Sequence, residues 1–151
     1  MTDDDIRGWF VEQLGLVTQE DGLPRIAGRI MGLLILEGEP LGFAEIAERL
    51  DISRGSVSTN TRLLERLGVI ERTARFGDRQ DYFQIAPRPY VRLMQGSLDR
   101  IRRAREVVAR TQAVLPAEDR GAHQRLDEMA SFYAAIGETL EELLQRITRE
   151  A

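Results

Sequence analysis

Apolar residues recur at helical spacing toward both ends of the chain and alternate at strand spacing only near the middle. Ile6, Phe10, Leu14 and Val17 share one face, behind Thr2 and three aspartates that suit a helix N-terminus. Gly15 and the stretch 18–22 are expected to end or loosen this first helix. Pro24 suits a first-turn position, and Ile26, Ile30, Leu33, Leu34 and Leu36 predict a second helix to about Glu37. Gly28 and Gly32 would let a neighbouring backbone approach closely, and Gly38-Glu39-Pro40 breaks the chain.

A short helix over 43–50 follows, with Phe43, Ile46, Ala47 and Leu50 on one face. Asp51-Ile52-Ser53 reads as a tight turn whose serine caps the next helix, 54–67, which Gly68 ends. Two strand-like runs, 69–75 and 81–86, are joined by Phe76-Gly77-Asp78-Arg79-Gln80, a hairpin signal. Helix, tight turn, helix, then a ribbon is the order of a winged helix-turn-helix. Beyond Pro87 and Pro89, Met94, Leu98, Ile101, Ala104, Val108 and Leu115 form one helical stripe. From about Glu118, Leu126, Met129, Tyr133, Ile136, Leu140, Leu143 and Ile147 step by threes and fours, a heptad seam over three repeats. Such a stripe needs a partner surface: the first helix, residues 90–115 or a second copy of the chain. The predicted fold is therefore mostly α with a small β-hairpin wing. A dimerisation helix (1–22) and a helical dimerisation region (89–151) flank a winged domain (23–88), and the chain is expected to form a homodimer.

Composition narrows the function. The 151 residues include no cysteine, which removes thiolate catalysis and thiol redox sensing, and a single histidine, His123. A zinc site would have to draw its other ligands from carboxylates, so no metal or cofactor is expected and His123 reads as a solvated surface residue. No stretch approaches the roughly 18 unbroken apolar residues of a membrane span. The acidic start is unlike a secretory leader, so the protein is expected to be cytoplasmic. The net charge of −4 hides a segregation: residues 51–110 hold 13 arginines against 7 acids, while both flanks are acidic. A basic middle is the footprint of a polyanion site; segregation by chance is the plain alternative.

On a helical wheel of 54–67, Val57, Thr61, Leu64 and Leu67 point inward, and Gly55, Ser58, Thr59, Arg62 and Arg66 outward. Small polar residues let a helix enter a major groove roughly 12 Å wide. Ser56, Ser58, Thr59 and Arg62 are the candidates for base contact, with Arg54 nearer a phosphate. Asn60 lies toward the packed side. Around the ribbon tip, Arg72, Arg75 and Arg79 suit the negative potential of a narrow minor groove, and Asp78 would aim its neighbour Arg79. The bland alternative for the helix is a solvated polar face. For the tip it is a surface ion pair, which does not account for the clustered arginines.

The runs Ile26-Ala27-Gly28-Arg29-Ile30-Met31-Gly32 and Ser53-Arg54-Gly55-Ser56-Val57-Ser58-Thr59-Asn60, with Gly77-Asp78-Arg79 ahead of Tyr82-Phe83, resemble the MarR family and, more narrowly, its GbsR-like branch. The resemblance covers about 8–115. It implies a dimer built from terminal helices around two winged domains, a wing Asp-Arg pair at Asp78 and Arg79, and repression relieved by a small molecule. It also implies target genes for osmoprotectants or for export of lipophilic compounds. Trp9, Phe10, Tyr90, Phe132 and Tyr133 are the aromatics near the terminal helices. They could hold a quaternary ammonium by cation–π contact or a lipophilic effector by apolar lining, although ordinary packing explains each of them. A DNA-binding transcriptional repressor is the leading expectation. A winged-helix adapter that binds protein is the alternative. Catalysis has no support: Asp127-Glu128 and Glu141-Glu142 are neighbours pointing apart on a charged helix face, with no nucleophile or phosphate-loop motif.

Overall fold

The computed structural model describes residues 2–150; Met1 and Ala151, the outer ends of the two predicted terminal regions, lie outside the described residues. The chain divides into two compact units, Met1–Pro89 and Tyr90–Ala151.

In the first unit α1 (Asp3–Glu20) begins with a capping box. The Thr2 hydroxyl accepts from the Asp5 amide at 3.1 Å, and the Asp5 carboxylate accepts from the Thr2 amide at 2.9 Å. The helix does not end or loosen at Gly15. That glycine is buried inside it, because a side chain there would meet Arg25 and Arg29 of α2 (Arg25–Glu37). Gly28 plays the reciprocal part, since a Cβ on it would lie 2.7 Å from the Leu14 carbonyl oxygen. The close approach expected of Gly28 and Gly32 is thus the α1–α2 contact, and Glu12 locks it by accepting from Arg25 at 2.8 Å and Arg29 at 2.7 Å. Pro24 stands just outside α2, as its N-cap residue, and Gly38 ends the helix in the left-handed region with φ 70°.

A strand that the sequence pattern missed, β1 (Leu41–Gly42), leads into α3 (Phe43–Leu50). After the turn at Asp51 comes α4 (Arg54–Leu67), followed by β2 (Ile70–Thr73) and β3 (Tyr82–Ile85). The strands form one antiparallel sheet in the order β1-β3-β2, with Leu41 opposite Phe83 and Ile70 opposite Ile85. Both ribbon strands are shorter than their apolar runs, and residues 74–81 form a loop beyond the ladder. The core joins α2, α3, α4 and the sheet: Ile30, Leu34, Ile46, Val57, Leu64, Val69, Ile70 and Phe83 are almost wholly removed from water.

The second unit is an antiparallel helical hairpin, α5 (Pro89–Val114) and α6 (Arg120–Glu150). Gln112 donates to Asp127 at 2.7 Å near the turn, and Arg102 donates to Glu141 at 3.0 Å farther along. On α6 only Gly137 is buried, and a Cβ there would lie 3.4 Å from Ile101. None of the seven residues of the predicted seam is buried, so that stripe is not filled within the chain. His123 is half-buried rather than solvated, with an Nε2 that lacks a partner. Among the described residues no helix is long and apolar enough to cross a membrane, and no group of potential metal ligands gathers.

Candidate nucleic-acid interface

The local chemistry of α4 fixes its start and its aim. The Ser53 hydroxyl accepts from the Ser56 amide at 3.0 Å, satisfying an orphan N–H of the first turn. The same hydroxyl donates to the Ser56 hydroxyl at 3.0 Å, so Ser56, half-buried, is partly engaged in the cap. Val57, Thr61 and Leu64 are buried, which orients the opposite face outward. Thr61 bonds back to the Val57 carbonyl at 2.7 Å, and Asn60 donates to the Ser56 carbonyl at 2.8 Å. Asn60 therefore serves the helix backbone, leaving its Oδ1 without a partner. Thr59, Arg62 and Arg66 are exposed or half-exposed, Ser58 half-exposed, and Arg54 rests over the Phe43 ring at 5.0 Å. Thr59, Arg62 and Arg66 line an open groove of about 520 Å³ together with Glu65 and Arg72.

At the ribbon the arginines divide. Arg72 is pinned to Glu65 at 3.0 Å and Asp81 at 2.9 Å and lies against Phe83, so it braces the sheet to α4 instead of reaching outward. Arg75 covers the Tyr82 ring at 4.2 Å and donates to the Pro40 carbonyl at 3.3 Å. Arg79 is exposed. Asp78 does not aim it, since no ion pair joins the two among the described residues. Asp78 instead accepts from the Gln80 amide at 3.0 Å, the Gln80 side chain at 3.2 Å and the Tyr82 hydroxyl at 2.6 Å. The Gln80 backbone N–H, then the Tyr82 phenol, hold its carboxyl down at about 2. The adjacent Asp-Arg pair suggested a contact; the structure makes Asp78 the latch of the loop. Gln80 and Tyr82, which belong to that latch, carry no charge signal by which the sequence could have marked them.

The basic middle is not concentrated where the sequence placed it. Residues 51–88 carry seven arginines against five acids, and residues 89–110 carry six against two. Within the first unit, what distinguishes α4 and the ribbon is pairing; in the second, Arg102 alone of the α5 arginines has a carboxylate partner among the described residues. In the first unit Arg7, Arg25, Arg29, Arg49 and Arg72 sit in ion pairs with carboxylates. Among the described residues Arg54, Arg62, Arg66, Arg75, Arg79 and Arg88 have no carboxylate partner. An acidic unit thereby offers uncompensated positive charge from one helix and its ribbon, as a polyanion site requires.

Of the five aromatics proposed for an effector, Trp9 and Phe10 belong to the first unit and Tyr90, Phe132 and Tyr133 to the second. Phe132 and Tyr133 meet edge-on with centroids 5.5 Å apart. Trp9 and Tyr90 are exposed, while the Phe10 ring packs near Gly32 of α2. None of them lines the cavity of about 350 Å³ bounded by α1, α2 and α3, whose wall mixes Val11, Leu33 and Leu36 with the ion-paired Arg7, Arg29 and Arg49. Sequence spacing gave no sign of that cavity, because its wall is assembled from three helices.

Comparison with known proteins agrees with this geometry. A model described as the MarR family matches residues 21–81, and one described as MmpR5-like MarR family transcriptional regulators matches residues 90–150. The chain is 35% identical over 144 residues to the HTH-type transcriptional regulator MmpR5 of Mycobacterium tuberculosis, covering 93% of this chain and 86% of that protein. A crystal structure described as a transcriptional regulator superposes with a TM-score of 0.84 at 29% identity, covering 95% of this chain and 98% of the other.

Proposed function

The chain belongs to the MarR family of DNA-binding transcriptional regulators, and from that membership we propose that it is a dimeric repressor released from its operator by a small molecule. Its relatives regulate transcription and are not enzymes. The observation that carries the DNA reading is the set of unpaired arginines on α4 and the ribbon, beside the small polar residues Ser58 and Thr59. In this reading Ser58, Thr59 and Arg62 meet base edges, Ser56 assists from the cap, Arg54 meets a phosphate, and Arg79 enters the minor groove. Arg75 and Asp78 shape the ribbon that delivers Arg79.

Self-association is proposed from the unfilled seam of α6, where Met129 and Ile136 remain exposed, and from Phe132, exposed beside it. Two copies would set the two reading helices on half-sites about one helical turn apart or a multiple of it. For the effector we propose an apolar or quaternary ammonium compound held by some of Trp9, Phe10, Tyr90, Phe132 and Tyr133. The regulated genes would be those for lipophilic-compound transport or osmoprotectants, as the sequence resemblance implies. The GbsR-like placement rests on the resemblance of the runs 26–32, 53–60 and 77–83; the model matching 90–150 is the MmpR5-like one. No observation favours an adapter that ignores DNA.

A mobility-shift titration against the DNA upstream of the chain's own gene tests the reading. Wild type should retard that duplex at low salt. Arg54→Ala and Arg79→Ala should each weaken binding and lower the salt slope by about 0.9 for each phosphate no longer neutralised, and Arg62→Ala should weaken binding by removing a base contact. No retardation even in dilute buffer would sink it.

A further inference from the structure

Among the described residues, ten of the large apolar side chains left exposed lie on α1, α5 and α6, where another helix face can cover them. Phe76 is the eleventh, it lies in the ribbon loop, and at 110% relative exposure it touches almost nothing. It occupies a corner of the turn from Arg75 to Asp78, which the Asp78 amide closes on the Arg75 carbonyl at 3.1 Å, with Gly77 supplying φ 81°. The loop is braced from below: Tyr82 is bonded to Asp78, and Arg75 is laid over Tyr82 and bonded to Pro40. A braced turn thus projects one bare aromatic ring, with Arg75 on one side and Arg79 on the other.

We propose that Phe76 is an apolar wedge that enters the minor groove with Arg79 and partly separates a flexible pyrimidine–purine step, bending the operator. This rests on the DNA reading above and adds an interaction that no arginine can make. A ring with no protein neighbours favours a surface that removes it from water. Its immediate surroundings select the kind of surface. The one acid of the turn is turned inward to Tyr82 and Gln80, so the tip faces outward as arginine and phenylalanine together. A minor groove answers both, with negative potential for the guanidinium and stacked bases between which an apolar side chain can be driven. The tight turn and its bracing keep the ring from folding back on its own domain.

The test uses the full-length protein and a duplex that the wild type has selected from a random pool, labelled at both ends for energy transfer. Wild type should shorten the end-to-end distance. Phe76→Ala, a change at a side chain without protein partners, should bind about tenfold more weakly and leave the duplex nearly straight. Its salt slope should be unchanged, since the same phosphates stay neutralised; Arg79→Ala should lower that slope. Phe76→Leu should keep most of the bend. If Phe76→Ala bends the duplex as wild type does, whatever its affinity, the wedge is overturned while the DNA reading stands. If wild type selects no duplex at all, the DNA reading has failed first.

Discussion

The two units treat their apolar residues in opposite ways. In the first, helices and sheet close around a shared core, and Ala27, Ile30, Ile46 and Val57 are wholly shielded. In the second, two long helices bury only Leu98, Val108 and Gly137, while Val107, Met129, Phe132 and Ile136 stay open to solvent. A hairpin of two helices presents only one face of each to the other, so the rest of any apolar stripe stays uncovered. The core of α2, α3, α4 and the sheet is therefore finished within one chain, although α1 of the same unit leaves Ile6, Trp9, Leu16 and Val17 exposed. The helical unit has apolar surface left over, and a second copy is the economical way to cover it.

The sharpest way to break that comparison is to charge the open stripe. Phe132→Glu should raise the dimer dissociation constant about 100-fold, because an unpaired carboxylate would have to be desolvated in the interface. Sedimentation should show monomers while the first unit keeps its thermal transition. A variant that remains dimeric at low micromolar concentration would show that α6 is not the seam.

A pair of glycines tests packing with effects of opposite sign. Alanine ordinarily stabilises a helix interior over glycine by roughly 0.5–1 kcal/mol. Gly28→Ala should instead destabilise by about 1–3 kcal/mol, since its new methyl group would press on the Leu14 carbonyl oxygen and Thr18. Gly96→Ala, where α5 leaves ordinary van der Waals distance to Arg100, should give the usual gain. Denaturant titration of both variants reads the difference, and a stabilising Gly28→Ala would contradict the close α1–α2 packing.

The smallest effect concerns the ribbon latch. The Asp78 carboxyl is held at about 2, down from an ordinary 3.8, so its contribution is fully present above 3.8 and is lost as the pH falls toward 2. Carboxyl chemical shifts should show this low midpoint, and Tyr82→Phe should move it upward by removing a donor. The reciprocal bond raises the Tyr82 phenol, so the protonated phenol supports the latch below pH 10 and is lost as the pH climbs past its raised value. A Tyr82→Phe protein with an unmoved Asp78 midpoint would dissolve the latch.

Much of the fold could be read from local signals. Ser53 ahead of a small-residue helix, Gly68 after it and Gly38 closing α2 are one-residue signals, and the structure honours each. Two failures share a cause. Gly15 looks like a helix stop because its intrinsic preference is weak there, yet the close packing of α2 outweighs that preference. The two residues of β1 carry no periodicity, and only their pairing to β3 makes them a strand.

The interface shows the same division. Periodicity along the chain chose which face of α4 turns outward, because burying Val57, Thr61 and Leu64 leaves no other orientation. It could not say which arginines are free, since a cation's partners come from distant segments: Glu65 claims Arg72, and Tyr82 with Gln80 claims the aspartate that seemed to belong to Arg79. Helix, turn, helix and ribbon follow from interactions within a few residues, so order and type were fixed by sequence alone. Which charges stay unspent, and which ring is left bare at the tip, depend on groups brought together from afar, and only folding in three dimensions decides that.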